Sequence, residues 1–133
     1  MSPVYSGFIN FIRQRAGLLA WWLVFCILVL SLLPSASIPK LNFSEWLQID
    51  KLGHISFYGS ATFCFLLDLS NKNRSLKWNL LVYFGLFTMG LALEYFQSMA
   101  GHGRIFDLFD QMANTIGIIL GGFGHQKLKK IFN

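Results

Sequence analysis

Charged side chains are scarce in this chain of 133 residues, where Asp, Glu, Lys and Arg together make up 13%. Hydrophobic residues make up 54% and aromatic residues 17%. Soluble globular domains carry about 25% charged residues, so this composition argues against an ordinary soluble domain. It predicts a chain that is solvated largely by lipid.

Several sequence motifs with known chemistry are also missing. The cysteines Cys26 and Cys64 both lie in apolar stretches, so we expect neither a disulfide nor a CxxC metal motif. No Ser-His-Asp order, Gly-rich phosphate loop or nucleotide motif is readable, and no cofactor is indicated. The formal net charge of +5 does not indicate nucleic-acid binding, because the basic residues lie between apolar runs rather than on one polar face.

Four apolar stretches predict an all-α membrane domain, a bundle of four transmembrane helices that forms one domain over residues 1–133. The predicted spans cover about residues 16–33, 52–67, 78–93 and 108–124. The first contains no ionisable side chain and, at about 1.5 Å per residue, nearly crosses the hydrocarbon layer. Residues 4–12 are expected to form a short helix on the membrane surface, closed by Arg13 and Arg15. A cleaved signal peptide is the competing interpretation of this N-terminal region.

The basic residues predict the orientation of these spans. The residues expected on one side are Arg13, Arg15, Lys72, Arg74, Lys77, Lys127, Lys129 and Lys130, whereas Lys40, Lys51 and Arg104 fall on the other. Because cytoplasmic loops are enriched in Lys and Arg, both termini are predicted to be cytoplasmic. The chain is therefore predicted to cross the cytoplasmic membrane several times.

Polar residues collect at the predicted outer ends of three spans, where an acidic group is costly unless it is paired. They are Lys51, His54 and Tyr58 on the second span, Glu94 and Gln97 on the third, and Asp107, Asp110 and Asn114 on the fourth. Within each set the spacing places the side chains on one helical face. We expect the three faces to meet in an outward-facing polar pocket, because lipid offers them no partners.

Structural explanations compete with this interpretation. Asp50 and Asp107 would serve as N-terminal caps of the second and fourth helices, and His54 as a satisfied core histidine. Tyr58 and Asn114 would then only join neighbouring helices. The Gly117-xxx-Gly121 pattern indicates close approach of a neighbouring helix.

The cations of the predicted pocket favour an anionic ligand. Lys51 and Arg104 lie beside two helix N-termini, which add positive partial charge and free amide hydrogens. Glu94, Asp107 and Asp110 would neutralise these cations or accept protons. The predicted partner is a membrane lipid or lipid-linked cell-wall precursor, whose phosphate or carboxylate enters from the outer leaflet. A divalent metal held by His54, Glu94 and the aspartates stays an open alternative of low specificity, because one helix shows no HExxH-type spacing, and no metal ligands are assigned.

The same residues carry a family resemblance. The pattern is Asp50-Lys51-x-x-His54-x-x-x-Tyr58, then Glu94-x-x-Gln97, then Gly103-Arg104-x-x-Asp107-x-x-Asp110-x-x-x-Asn114-x-x-Gly117-x-x-x-Gly121. Over about residues 20–124 it resembles the VanZ-like family of small bacterial membrane proteins. Ile55 and His102 depart from that pattern, at an aromatic and a proline position respectively. The resemblance implies a four-helix membrane domain, a connection with the cell envelope and a link to teicoplanin-type glycopeptide resistance.

Three functions remain open on the sequence. The leading hypothesis is binding of an anionic lipid-linked envelope molecule by Lys51 and Arg104, with Asp107, Gln97, Asn114 and Tyr58 lining the pocket. The second is a membrane-embedded hydrolase or transferase, with His54, Glu94 and Asp110 as hypothetical catalytic groups. The third is a structural subunit of a larger complex, in which Gly117 and Gly121 pack against a partner helix.

Overall fold

A computed structural model describes residues 3–32, 49–99 and 106–132, with side chains from residue 11 to residue 130 in those ranges. All regular structure within these ranges is helical, as the sequence predicts. The helices are α1 (Pro3–Leu32), α2 (Ile49–Asn71), α3 (Leu76–Met99) and α4 (Leu108–Phe132).

Helix α1 runs without a break from Pro3 to Leu32. The expectation of a separate surface helix over residues 4–12 is therefore wrong. The segment that joins the two parts, Arg13-Gln14-Arg15-Ala16, consists of strong helix formers and contains no glycine or proline. The sequence changes from amphipathic to apolar here, but this change does not end the helix.

Two of the helices have the length and composition of membrane spans, namely Phe11–Leu32 within α1 and Leu76–Met99, the whole of α3. Their large apolar side chains are widely exposed, as at Trp21, Trp22 and Phe84. The polar side chains of Glu94 and Asn114, in contrast, are buried between the helices. Apolar side chains on the outside and polar side chains inside leave a large apolar surface. Such a surface fits contact with lipid and would be unusual for a soluble monomer.

Contacts at the helix ends show that consecutive helices run antiparallel. In the first half of α1, the Arg13 carbonyl accepts a hydrogen bond of 2.7 Å from the Asn71 side chain at the end of α2. At the opposite end, Gln97 Nε2 donates to the Ser31 carbonyl at 2.8 Å, which joins the ends of α3 and α1. The starts of α2 and α4 lie together at that same end. The polar residues of the predicted pocket are therefore gathered at one end of the bundle.

The turn between α2 and α3 is closed by its own backbone. Asn73 has a φ of 50°, and the amides of Asn73 and Arg74 donate to the carbonyls of Ser70 and Leu69 at 3.1 and 3.0 Å. This pattern is a Schellman motif, and asparagine tolerates its left-handed position better than most residues. It ends α2 and allows α3 to return beside it.

Helices α2 and α4 form the most extensive contact in the bundle. A Cβ added at Gly117 would lie 2.5 Å from the Ile55 carbonyl oxygen, and one added at Gly121 would overlap the Gly59 carbonyl oxygen. The close approach indicated by the Gly117-xxx-Gly121 pattern is thus confirmed. The neighbour is α2 of the same chain.

Candidate ligand-binding site at the starts of α2 and α4

Lys51 lies at the centre of the polar cluster, between two aspartates of α4. Its ammonium donates to Asp110 Oδ1 at 2.7 Å and to Asp107 Oδ2 at 3.0 Å. Burial disfavours the charge on Lys51, but the hydrogen bonds to Asp110 and Asp107 outweigh this effect and raise its pKa above the ordinary value. The three charges therefore stabilise one another and tie the start of α2 to the start of α4.

Asp107 also caps α4, as the structural interpretation predicts. Its Oδ1 accepts a hydrogen bond of 2.8 Å from the Phe109 amide. Burial alone would raise the pKa of Asp107, yet the bonds from Lys51 and from the Phe109 amide lower it below the usual range. The Asp107 amide itself donates to Glu94 Oε2 at 3.3 Å, which brings α3 to the same point. Asp50, in contrast, lies within the first turn of α2, because this helix already includes Ile49.

A chain of hydrogen bonds, the amide relay, runs from His54 through Asn114 and Gln111 to a backbone carbonyl of α3. His54 Nδ1 lies 2.8 Å from Asn114 Oδ1, Asn114 Nδ2 donates to Gln111 Oε1 at 3.3 Å, and Gln111 Nε2 donates to the Phe87 carbonyl at 3.4 Å. Because a carbonyl only accepts, each amide in the relay has one consistent orientation. We therefore assign the Nδ1 proton of His54 as the donor to Asn114.

This assignment leaves His54 Nε2 with a lone pair in the neutral ring. Nε2 lies 3.9 Å from Asp50 Oδ1 and 3.9 Å from Asp110 Oδ2. Both distances exceed the range of a hydrogen bond. Three acceptor atoms from α2 and α4 thus face a common space.

Exposure falls from the end of the bundle inwards. The exposed fractions of the side chains are 46% for Asp50 and 36% for Asp107, and they fall to 20% for Lys51 and 13% for Asp110. Glu94 and Asn114 lie deepest, with 2% and 1% of each residue exposed. Among the described residues, the site is therefore exposed at its rim and buried beneath.

The remaining predicted residues occupy different positions. Tyr58 is buried one turn below His54, with the two rings stacked 6.5 Å apart. Gln97 is held by the Ser31 carbonyl of α1, so its amide nitrogen joins helices. Arg104 lies outside the described residues. Nothing in these positions tests the ligand-binding or catalytic roles predicted above, which stay predictions.

Two residues that build the amide relay, Gln111 and Gly90, were not predicted from the sequence. Gln111 connects Asn114 to α3, and its spacing of three residues from Asn114 was the available signal. Gly90 makes room for this bridge, since a Cβ there would lie 2.7 Å from Gln111 Oε1 and 2.9 Å from Asn114 Nδ2. That role depends on which face of α3 meets α4, and the spacing of apolar residues in α3 does not reveal it.

Comparison with protein families decides the assignment. A model of the VanZ/LLP1 family matches residues 9–126. The chain belongs to the VanZ/LLP1 family. No curated protein and no solved structure matches this VanZ/LLP1 chain. The family assignment confirms the resemblance drawn from the polar residues, and together with α1 and α3 it points to a membrane protein.

Proposed function

We propose that this VanZ/LLP1 protein is a multi-pass protein of the bacterial cytoplasmic membrane that binds the anionic headgroup of a lipid-linked envelope molecule. The observation that carries the proposal is Lys51, a part-exposed cation at the starts of two helices. Each helix start adds positive partial charge that favours an anion. The link to glycopeptide resistance implied by the resemblance belongs to this proposal.

Ligand entry would proceed by exchange of one anion for another. Asp107 is the more exposed of the two aspartates that hold Lys51, so it is the one that a headgroup oxygen displaces. Asp110 stays in place beneath. Arg104 precedes Asp107 by three residues and is proposed as the second cation, with a planar guanidinium that grips phosphate or carboxylate through two hydrogen bonds.

The proposed topology has four spans and cytoplasmic termini. Helices α2 and α4 contain 23 and 25 residues, which is long enough to cross the hydrocarbon layer at about 1.5 Å per residue. In a chain with Cys26 and Cys64 replaced by alanine, we expect Phe106→Cys to react with a membrane-impermeant maleimide in intact cells whose outer envelope has been made permeable. Lys130→Cys should react only after the cytoplasmic membrane is opened. Labelling of both positions from outside would contradict this topology.

Binding is tested with two probes that share one chain, a polyprenyl phosphate and the uncharged polyprenol. We expect the detergent-solubilised protein to retain the phosphate at least tenfold more tightly, measured by native mass spectrometry. The double variant Lys51→Met/Asp110→Asn removes the cation and one anion together, so it should lose this preference. Arg104→Lys should reduce it about tenfold, the effect of losing one good hydrogen bond of about 1.4 kcal/mol.

A matched control lies at the other end of α2, where Lys72 Nζ donates to Asp68 Oδ2 at 2.8 Å. The variant Lys72→Met/Asp68→Asn makes the same two changes of charge far from the site and should keep the preference. Equal retention of both probes by the wild-type protein would contradict the proposal. So would a preference that survives the Lys51 double variant and Arg104→Ala.

A membrane-embedded enzyme is the second candidate, favoured by His54 Nε2. Because Nδ1 donates to the amide relay, the neutral ring has its lone pair on Nε2, which is the form that a general base needs. In the same samples, release of inorganic phosphate or of a transferred headgroup would indicate turnover, and His54→Gln should abolish it while leaving binding intact. The structural-subunit hypothesis loses its main support, because Gly117 and Gly121 already face α2 of the same chain.

A further inference from the structure

We propose that Asp50, His54 and Asp110 form a binding site for a divalent transition-metal ion. His54 Nε2 and one carboxylate oxygen of each aspartate lie within 4.8 Å of one another. Asp50 and His54 come from consecutive turns of α2, and Asp110 comes from the first turn of α4. The inference goes beyond lipid binding, since it concerns a different ligand, held by His54 and two aspartates rather than by Lys51.

The nitrogen Nε2 of His54 and the aspartate oxygens already lie close to the spacing that a metal ion requires. Metal bonds of about 2.1 Å at tetrahedral angles place ligand atoms about 3.4 Å apart. Nε2 lies 3.9 Å from an oxygen of each aspartate, so these two pairs need to close by about 0.5 Å, while all three ligand atoms lie within 4.8 Å of one another. Asp50 is the most exposed of the three and is free to rotate its carboxylate inwards. Lys51 holds the other oxygen of Asp110, which leaves Oδ2 for the metal.

The amide relay, whose other members lie outside the three ligands, fixes the orientation of the His54 ring. It ends on the Phe87 carbonyl, so its direction is set and Nδ1 of His54 carries the proton. In the neutral ring the lone pair of Nε2 therefore faces one carboxylate oxygen of each aspartate, at 3.9 Å in both cases. A metal-binding histidine is typically held in this way, with its second nitrogen donating to an outer group. Asn114 supplies that outer group here.

Charge and ligand type define the metal. Among the described residues around the site, the acidic groups Asp50, Asp107 and Asp110 outnumber the cation Lys51, and this excess of negative charge favours a metal cation. One imidazole with two carboxylates suits Zn²⁺ or Mn²⁺ better than Mg²⁺ or Ca²⁺, which prefer oxygen ligands alone. Three protein ligands also leave a coordination position for water or for an anionic oxygen.

The test uses the full-length chain without an affinity tag, in non-ionic detergent without lipid phosphate, titrated calorimetrically with ZnCl₂, MnCl₂ or MgCl₂. We expect one saturable Zn²⁺ or Mn²⁺ site and at least tenfold weaker binding of Mg²⁺. His54→Gln should abolish the site, and Asp50→Asn should weaken it at least tenfold. Asn114→Leu, which removes the orienting group, should weaken it about 10- to 100-fold.

Two control variants separate this site from general metal binding. His125→Gln removes a buried histidine from the last turns of α4, and Asp68→Asn removes a carboxylate near the end of α2. Both should bind the metal like the wild-type protein.

Folding of every variant is checked by its melting temperature. Asp50→Asn is the decisive variant because the Asp50 side chain is the most exposed of the three. Absence of saturable binding in the folded wild-type protein would overturn the proposal, as would unchanged binding by His54→Gln or Asp50→Asn. Because lipid is absent, failure here is distinguishable from failure of the proposed lipid binding.

Discussion

Replacement of Gly121 by leucine is expected to separate α2 from α4 and to destabilise the protein by about 3 kcal/mol or more. The new Cβ would overlap the Gly59 carbonyl oxygen and would lie 2.9 Å from Thr62 Cβ. Both obstacles belong to the backbone or to a buried, β-branched side chain, so neither moves cheaply. The melting temperature of the detergent-solubilised protein, followed by circular dichroism, measures the effect.

Gly85→Leu is the matched control for this prediction. A Cβ at Gly85 meets nothing within 4 Å, and this residue lies on the exposed face of α3. Leucine has the higher helix propensity, by about 0.5–0.8 kcal/mol, so the control should melt at or slightly above the wild-type temperature. A Gly121→Leu protein that melts like the wild type would show that the contact between α2 and α4 is looser than described.

Replacement of Lys51 by methionine is expected to destabilise the protein by about 2–3 kcal/mol. The variant leaves Asp107 and Asp110 beside each other without their shared cation. Removal of one partner from a buried ion pair costs about 3–5 kcal/mol, and the partial exposure of these groups reduces that figure. Thermal unfolding near pH 7 measures the loss.

The reason for this loss is tested by a second change in the same protein. Asp110→Asn removes the less exposed of the two unpaired charges, so Lys51→Met/Asp110→Asn should recover most of the stability lost by Lys51→Met alone. Asp107 keeps the hydrogen bond from the Phe109 amide and needs no cation to remain a cap. A double variant that is as unstable as Lys51→Met would mean that lost packing of the lysine side chain, rather than charge, causes the effect.

The helical class followed from composition and from the apolar stretches, but the helix ends did not. Helix α4 continues to Phe132, beyond the predicted boundary at residue 124, and α1 begins well before residue 16. Lys127, Lys129 and Lys130 are good helix formers, so a polar sequence continues the helix after the apolar stretch has ended. Hydropathy therefore located the segments that suit lipid, whereas backbone propensity and capping decide where the helices stop.

The convergence of the polar residues followed from helix periodicity, since an unpaired acid in lipid requires a partner and only the neighbouring helices offer one. The sequence did not predict which atoms of these side chains contact one another. Asp50 was interpreted as a cap, yet its carboxylate lies beside His54. Gln111 joins Asn114 to α3 only because Gly90 lets the helices approach there. Such pairings depend on the rotation of each helix about its axis, and an apolar surface that faces lipid leaves that rotation poorly specified in the sequence.

The directed hydrogen bonds between His54 and Phe87 have a consequence for which residues can be exchanged. Asp110 and Asn114 lie one turn apart on α4, and their side chains have nearly the same shape. Their functional groups differ, since one is a carboxylate and the other an amide. Asn114 must donate to Gln111 while it accepts from His54, and a carboxylate cannot donate. Asp110 must carry charge for Lys51, and an amide cannot. A swap of the two residues would preserve composition, volume and net charge, yet it would leave both positions with the wrong chemistry.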